Sequence, residues 1–137
     1  MLLLDTSAVS AFMHRQRAAL DRLHDEDPAG VYLCTPVAAE IEFGLSRLEV
    51  GSRRRSLLDR EFRRLRSAVG WTDWGEAAAG EFGLWKARLQ EQGNPIEDMD
   101  LIIASIALTL PARLATSNAR HFARIEALEI VDWSVSG

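Results

Sequence analysis

The stretch Leu2-Leu3-Leu4-Asp5-Thr6-Ser7 decides the fold, because a short apolar strand ends there on a carboxylate. A strand this apolar is typical of a parallel sheet with both faces covered by helices. In open α/β sheets, ligands bind beyond the carboxyl ends of the strands, where Asp5 is expected to lie. Thr6 or Ser7 is a suitable cap for the following helix. For Asp5 alone, helix capping and chemistry are equally good explanations.

Length and composition predict one globular domain over residues 1–137. The chain has 137 residues, of which 47% are apolar and 26% are charged, which is ordinary for a globular protein. No apolar run approaches the ~20 residues of a membrane span, and no basic segment precedes the first apolar stretch, so a secretory signal is not expected. Cys34 is the only cysteine. No disulfide within the chain is possible, and a cytoplasmic location is expected.

The charges are unevenly distributed. The net charge of −4 argues against a generic nucleic-acid binder, which usually carries a basic surplus. Seven arginines nevertheless fall between Arg53 and Arg66, whereas several acids lie elsewhere. An acidic pocket beside a basic rim fits a metal-dependent enzyme that acts on a polyanion. A solvated helix face explains the arginines as well.

Strands that alternate with helices predict a three-layer α/β/α sandwich with a mostly parallel central sheet. Apolar spacing predicts helices at residues 8–24, 36–50, 53–66, 76–92 and 101–110. Strands are expected at residues 1–4, 31–34, 113–116 and 129–133. Residues 69–74 fit either a short strand or an extended connection. Thr35 is the expected N-cap of the second long helix, with Pro36 at its first position.

Glu40 and Gly44 share one face of that helix, because they are four residues apart. A glycine in mid-helix costs roughly 1 kcal/mol against alanine, so we expect another group to pack closely against Gly44. Glu40 borders the apolar stripe, whereas Glu42 points away from it. Glu40 therefore either extends to solvent or binds a cation.

Asp98 and Asp100 stand at the beginning of the buried helix at residues 101–110. One of them can be its N-cap, but two acids exceed what a cap requires. Asn118 follows the strand that ends at Thr116, and its side-chain oxygen is a candidate ligand for a metal or a water. His121 is a candidate proton carrier or RNA contact. Both are also ordinary loop residues.

The candidate ligands are oxygens, which indicates a hard cation such as Mg²⁺ or Mn²⁺. Zinc is disfavoured because Cys34 is isolated and the histidines are scattered. The chain has no Gly-x-x-x-x-Gly-Lys phosphate loop and no Gly-x-Ser-x-Gly elbow. Nucleotide hydrolysis on such a loop and serine hydrolysis on such an elbow are therefore excluded.

Five short motifs, in this order and spacing, resemble those of the PIN-domain nucleases, in particular the VapC toxins of bacterial toxin–antitoxin pairs. The resemblance covers essentially the whole chain. The motifs are Leu3-Leu4-Asp5-Thr6-Ser7, Ala39-Glu40-Ile41-Glu42-Phe43-Gly44, Asp98-Met99-Asp100-Leu101-Ile102-Ile103-Ala104, Ala115-Thr116-Ser117-Asn118-Ala119-Arg120-His121-Phe122 and Leu128-Glu129-Ile130-Val131-Asp132-Trp133.

The resemblance implies a toxin that is an Mg²⁺- or Mn²⁺-dependent endoribonuclease. Asp5, Glu40 and Asp100 correspond to the family's three near-invariant metal-binding acids, and Asp98 to an extra acid found in part of the family. Asn118 replaces a fourth aspartate of many PIN domains, which puts a second metal site in doubt. Supporting roles are expected for Thr6, Thr116 and Asn118. The implied partners are RNA, a VapB-type antitoxin and a second copy of the chain, with DNA reached only through the antitoxin.

In the expected mechanism, a cation held by Asp5, Glu40 and Asp100 activates a water that attacks a phosphodiester. The segment between Arg53 and Arg66 is expected to guide RNA to the site. The candidate RNA contacts are Arg54, Arg120 and His121.

Two alternatives stay open. A phosphatase of the haloacid dehalogenase type needs a second aspartate two residues after the first, where Ser7 stands. A non-catalytic PIN module acting on DNA through its antitoxin is expected to lack one of the three acids.

Overall fold

The computed structural model describes every residue from Met1 to Gly137. A five-stranded sheet lies at its centre, in the order β3-β2-β1-β4-β5, and every neighbouring pair is parallel. The strands are β1 (Leu2–Leu4), β2 (Val31–Cys34), β3 (Gly70–Thr72), β4 (Arg113–Thr116) and β5 (Ile130–Asp132). The helices are α1 (Thr6–Met13), α2 (Arg17–His24), α3 (Thr35–Ser46), α4 (Arg53–Ala68), α5 (Glu76–Glu91), α6 (Asp98–Thr109) and α7 (Ala119–Phe122). The predicted α/β fold with helices around a parallel sheet is confirmed.

The apolar strand β1 occupies the middle of the sheet. Leu2, Leu3 and Leu4 are fully buried, since β2 and β4 flank the strand and helices cover the sheet. The backbone N–H of Asp5 donates to the carbonyl of Ala115 at 3.0 Å, which continues the pairing of β1 with β4. Asp5 therefore lies at the carboxyl edge of the sheet, between two parallel strands.

The single helix predicted for residues 8–24 is wrong, because the structure has two helices there. The chain breaks between α1 and α2, where Arg15 adopts a positive φ of 56°. An ion pair of 3.5 Å joins Arg15 to Glu61 of α4. The apolar spacing continues across the break, since Leu20 and Leu23 of α2 also pack against the core. That continuity is why the spacing indicated one helix.

The helix α3 differs from its prediction at both ends. Cys34 is the N-cap and makes no side-chain hydrogen bond, so the expected cap at Thr35 is wrong. Pro36 lies within the first turn, where the missing N–H costs no helical hydrogen bond. The helix ends at Ser46 instead of residue 50, and Leu48 is only partly buried.

The short helix α7 was not predicted, and His121 lies on it instead of in a loop. The remaining elements follow their predictions more closely. Ser52 caps α4 by accepting from the backbone N–H of Arg55 at 3.1 Å, and the apolar face of α4 is buried. The ambiguous residues 69–74 contain the edge strand β3. The largely apolar helix α6 is buried and packs against α5. None of the helices combines the length and apolarity that crossing a membrane requires.

Candidate metal-binding active site

Asp5 is buried, with 4% of its surface exposed, and it caps α1. Its Oδ1 accepts from the backbone N–H of Ala8 and from the Ser7 hydroxyl, both at 2.7 Å. The expected cap at Thr6 or Ser7 is therefore wrong, because the strand's last carboxylate satisfies the free amide of the first helical turn. Asp5 has a structural role in addition to any chemical one.

The pKa of the Asp5 carboxyl is raised above its usual range. Burial is the main cause, and the nearby charge of Asp100 adds to it. Hydrogen bonds from Thr116, Ala8 and Ser7 oppose the rise. Burial disfavours a carboxylate unless it is compensated, and here the compensation comes from hydroxyl and amide groups. A bound cation would supply the positive charge that this buried acid lacks.

Ser7 links the start of α1 to the end of β4. Its hydroxyl donates to Asp5, lies 3.1 Å from Thr116 Oγ1 and accepts from the backbone N–H of Ser117 at 2.9 Å. Thr116 Oγ1 in turn accepts from the backbone N–H of Asn118 at 2.9 Å. The sequence indicated Ser7 only as a helix cap. Its second role needs the adjacency of β1 and β4, which one sequence does not reveal.

Glu40 is half-buried on α3, and Thr6 donates its hydroxyl hydrogen bond to Glu40 Oε1. Both residues line a groove of about 250 Å³, together with Arg54 and Gly44. A Cβ added at Gly44 would meet nothing within 4 Å, so the expected close packing there is wrong. The glycine instead leaves this part of the groove open. Glu42 is exposed, as its position predicted, and it also pairs with Arg66.

Asp100 and Asp98 lie in the first turn of α6 but face different partners. Asp100 Oδ2 lies 2.8 Å from Nε2 of His121. Asp98, with 62% of its side chain exposed, forms an ion pair of 3.0 Å with Lys86. Neither acid caps α6, because Glu97 occupies the cap position without a side-chain hydrogen bond. Both instead stabilise the positive end of the helix.

The remaining candidates are more exposed. Asn118 uses its backbone N–H to bind Thr116, and its exposed side chain makes no capping bond to α7. Arg120 is also exposed. Three arginines of α4 are paired, with Asp59, Glu61 and Glu42 as their partners. The four others form no ion pair, and these are Arg53, Arg54, Arg55 and Arg60.

The charges of Asp5, Glu40 and Asp100 raise the pKa values of neighbouring groups. Burial raises the pKa of the Cys34 thiol to about 11, and the charges of Asp5 and Glu40 contribute to this rise. Asp100 acts on Asp5 in the same way. No three acidic, histidine or cysteine side chains form a ready coordination cluster. The donor set nevertheless fits a hard divalent cation, since Asp5 is a buried acid beside a second carboxylate. The ligand roles of these residues remain predictions.

Residues 2–128 match the PIN domain family. The chain therefore belongs to the PIN-domain family.

Proteins named as VapC ribonucleases are among its relatives. It is 31% identical to ribonuclease VapC2 of Rickettsia felis over 97 residues, which are 71% of this chain and 69% of that protein. It is 45% identical to ribonuclease VapC1 of Haemophilus influenzae over 53 residues, but these span only 39% of this chain and 40% of that protein.

A solved structure of similar fold is that of VapBC-1 from nontypeable Haemophilus influenzae. The TM-score is 0.79 at 29% identity, and the match covers 97% of this chain and 98% of that one. The fold of this chain is therefore shared with that structure over nearly the whole length of the chain.

Proposed function

We propose that this chain is a divalent-metal-dependent endoribonuclease and the toxin of a VapBC-type toxin–antitoxin pair. One observation carries the proposal: a buried carboxylate, Asp5, ends the central parallel strand, and the charge of a second carboxylate, Asp100, reaches it. Relatives in sequence are named ribonucleases, which supports RNA as the substrate. Hydrolysis of RNA also agrees with the cytoplasmic location expected for the chain.

The proposed ligands of Mg²⁺ or Mn²⁺ are Asp5, Glu40 and Asp100. When bound, such a cation offsets negative charge on a phosphodiester and lowers the pKa of a water molecule. The chain itself holds each acid in place. Ser7 and Ala8 fix Asp5, Thr6 binds Glu40, and His121 binds Asp100. Asp98 would join this set only if its ion pair with Lys86 opened.

The groove beside Glu40 is the proposed path of the RNA strand. Arg54 lines it, and no acid of the chain pairs with this arginine. A free guanidinium at the rim attracts phosphates, and this attraction falls with rising salt. Arg120 and His121, which follow β4, are further candidates for binding RNA.

The proposed antitoxin site adjoins this path. A second groove of about 540 Å³ lies between the end of α1 and α4. Met13, Leu57 and Leu58 form its apolar part, and Arg53 and Arg54 lie among its polar residues. Such a surface suits a peptide with apolar and acidic side chains. A chain of the structure described as VapBC-1 has the same fold, which supports a VapB-type partner. Contact with DNA only through that partner is part of the proposal.

A homodimer is also part of the proposal. Phe43 on α3 and Leu84 on α5 are exposed, at 65% and 46%, although both are large and apolar. Exposed apolar side chains of this kind mark interaction surfaces when they are contiguous. Phe62 on α4, by contrast, is fully buried and belongs to the core.

The alternative of a non-catalytic PIN module is less well supported. Asp5, Glu40 and Asp100 are all present, and two of them are held by side-chain hydrogen bonds from other helices. A phosphatase of the haloacid dehalogenase type fits no better, because Ser7 binds Asp5 where that chemistry requires an acid.

The test is cleavage of single-stranded and structured RNA by the purified chain, with Mg²⁺, Mn²⁺ or EDTA. We expect cleavage only with a divalent cation, and a loss of more than about 100-fold in Asp5→Asn, since loss of a metal ligand exceeds the effect of an outer-shell change. Asp25→Asn is the matched control, because Asp25 is exposed and precedes β2 at the opposite edge of the sheet. An inactive wild type, or an active Asp5→Asn variant, contradicts the proposal.

A further inference from the structure

The contact between His121 and Asp100 brings α7 into the acidic site. His121 Nε2 lies 2.8 Å from Asp100 Oδ2 across 21 residues of sequence. Both side chains are mostly buried, with 19% of His121 and 29% of Asp100 exposed. A charge-assisted hydrogen bond in such a setting is stronger than one at the surface. The hydrogen bond between His121 and Asp100 is therefore an integral part of the site.

The surroundings of His121 fix the direction of its ring. The next residue, Phe122, is buried, and its ring meets the imidazole edge-on at 5.3 Å between centroids. The backbone N–H of His121 donates to the carbonyl of Asn118 at 3.1 Å. Because Phe122 anchors this short helix in the core, the imidazole is presented to α6.

The direction of the hydrogen bond follows from the chemistry of its two groups. An ionised carboxylate only accepts, so Nε2 carries the hydrogen and donates it to Oδ2. The same nitrogen is then not free to bind a cation. Oδ2 is held by the imidazole, which leaves Oδ1 of Asp100 as the oxygen available to a ligand.

Asn118 does not make an equivalent interaction. Its side chain is exposed, and only its backbone N–H takes part in the network at the end of β4. His121, three residues after Asn118, is therefore the fourth side chain at the acidic site, after Asp5, Glu40 and Asp100.

We propose that His121 is a positioning residue: its Nε2–H holds Oδ2 of Asp100 and leaves Oδ1 free for the cation that Asp100 and Asp5 would hold. This inference rests on the proposed function, because it concerns the same site. Outer-shell partners that orient a ligand typically change metal affinity by about 10- to 100-fold when they are removed. The same size of effect is expected here.

The experiment is a calorimetric titration of the full chain with Mn²⁺ in the absence of RNA. We expect His121→Leu to weaken Mn²⁺ binding by about 10- to 100-fold. His121→Gln should stay within about threefold of the wild type, because the glutamine amide nitrogen can replace Nε2 as a donor. His121→Asn should behave like His121→Leu, since its shorter side chain places the amide nitrogen near the position of Nδ1. In an Asp100→Asn background, His121→Leu should have little further effect, because the two residues act as one unit.

His24→Leu is the matched control, because His24 is exposed at the end of α2. The Mn²⁺ affinity of this variant should equal that of the wild type. Thermal unfolding of every variant in EDTA establishes that each one is folded. The inference is overturned if folded His121→Leu binds Mn²⁺ as tightly as the wild type, or if His121→Gln loses as much affinity as His121→Leu.

Two outcomes separate this inference from the function on which it rests. RNA cleavage by the wild type together with unchanged Mn²⁺ affinity in His121→Leu contradicts the positioning role alone. A drop in RNA affinity without a change in Mn²⁺ affinity would make His121 an RNA-binding residue and overturn the inference. A wild type that neither binds Mn²⁺ nor cleaves RNA contradicts both proposals.

Discussion

The carboxyl edge of the sheet and the arginine-rich helix α4 differ in how far their charged side chains are buried. Asp5 is buried, and hydroxyl and amide groups surround it. The arginines of α4 are largely exposed, and three of the seven pair with acids on the surface. A buried charge is costly unless it is compensated, whereas an exposed ion pair contributes only about 0–1 kcal/mol. The acidic edge therefore indicates chemistry more strongly than the basic helix does.

The largest effect is expected at Asp5, where activity and stability should change in opposite directions. Asp5→Asn should abolish the proposed RNA cleavage but retains an oxygen that can cap α1. It also removes the cost of burying a charge, so the metal-free variant should unfold at a higher temperature than the wild type at neutral pH. Thermal unfolding in EDTA measures this, and a lower unfolding temperature would contradict the cost assigned to Asp5.

The pH dependence has a definite sign, because the pKa of Asp5 is raised by burial. The folded chain binds this proton more tightly than the unfolded chain does. The resulting stability is complete below the ordinary pKa of aspartate and is lost as the pH rises through the raised pKa. Unfolding in EDTA across this pH range should show the loss in the wild type and not in Asp5→Asn.

The next largest effect is expected at Ser7, which connects α1 to β4. Ser7→Ala removes a donor to Asp5 and leaves the N–H of Ser117 without its acceptor. An unsatisfied buried group costs about 1–3 kcal/mol. Urea unfolding should show this loss, and Ser67→Ala on the exposed face of α4 serves as the control. If the two variants have equal free energies of unfolding, the hydrogen bonds of Ser7 do not stabilise the carboxyl edge of the sheet.

A smaller effect is expected on the basic helix. Arg54→Glu should lower the rate of RNA cleavage at low salt, and its slope against log salt should fall by about one for each phosphate group that Arg54 binds in the wild type. Stability should change by less than about 0.5 kcal/mol, because the residue is exposed. Arg17→Glu on α2 is the control, with 88% of its side chain exposed. An unchanged rate and salt slope in Arg54→Glu would assign the free arginines to a solvated face.

The smallest effect is expected at Lys86. Lys86→Ala frees Asp98 from its ion pair, and the loss of this half-exposed pair should cost less than about 1 kcal/mol. We expect the Mn²⁺ affinity measured by calorimetry to stay unchanged, because Asp98 is not one of the proposed ligands. A clear gain in Mn²⁺ affinity would instead bring Asp98 into the site.

The sequence predicted what depends on local pattern. The apolar run before Asp5 placed a buried strand, and spacing located most helices within a few residues. The sequence did not predict the break at Arg15, because the positive φ there falls on an arginine, and no glycine marks the position. It also missed the Ser7 network and the bond between His121 and Asp100, which join residues 109 and 21 positions apart. Interactions of that kind depend on strand order, which one sequence does not give.

The link between Ser7 and Thr116 has a consequence for translation. The first strand leaves the ribosome early, but its partner β4 consists of residues 113–116. At about 5–20 residues per second, the nascent chain carries Asp5 for several seconds without Thr116 or His121. The site that we propose for RNA cleavage is therefore not assembled until nearly the whole chain has been synthesised.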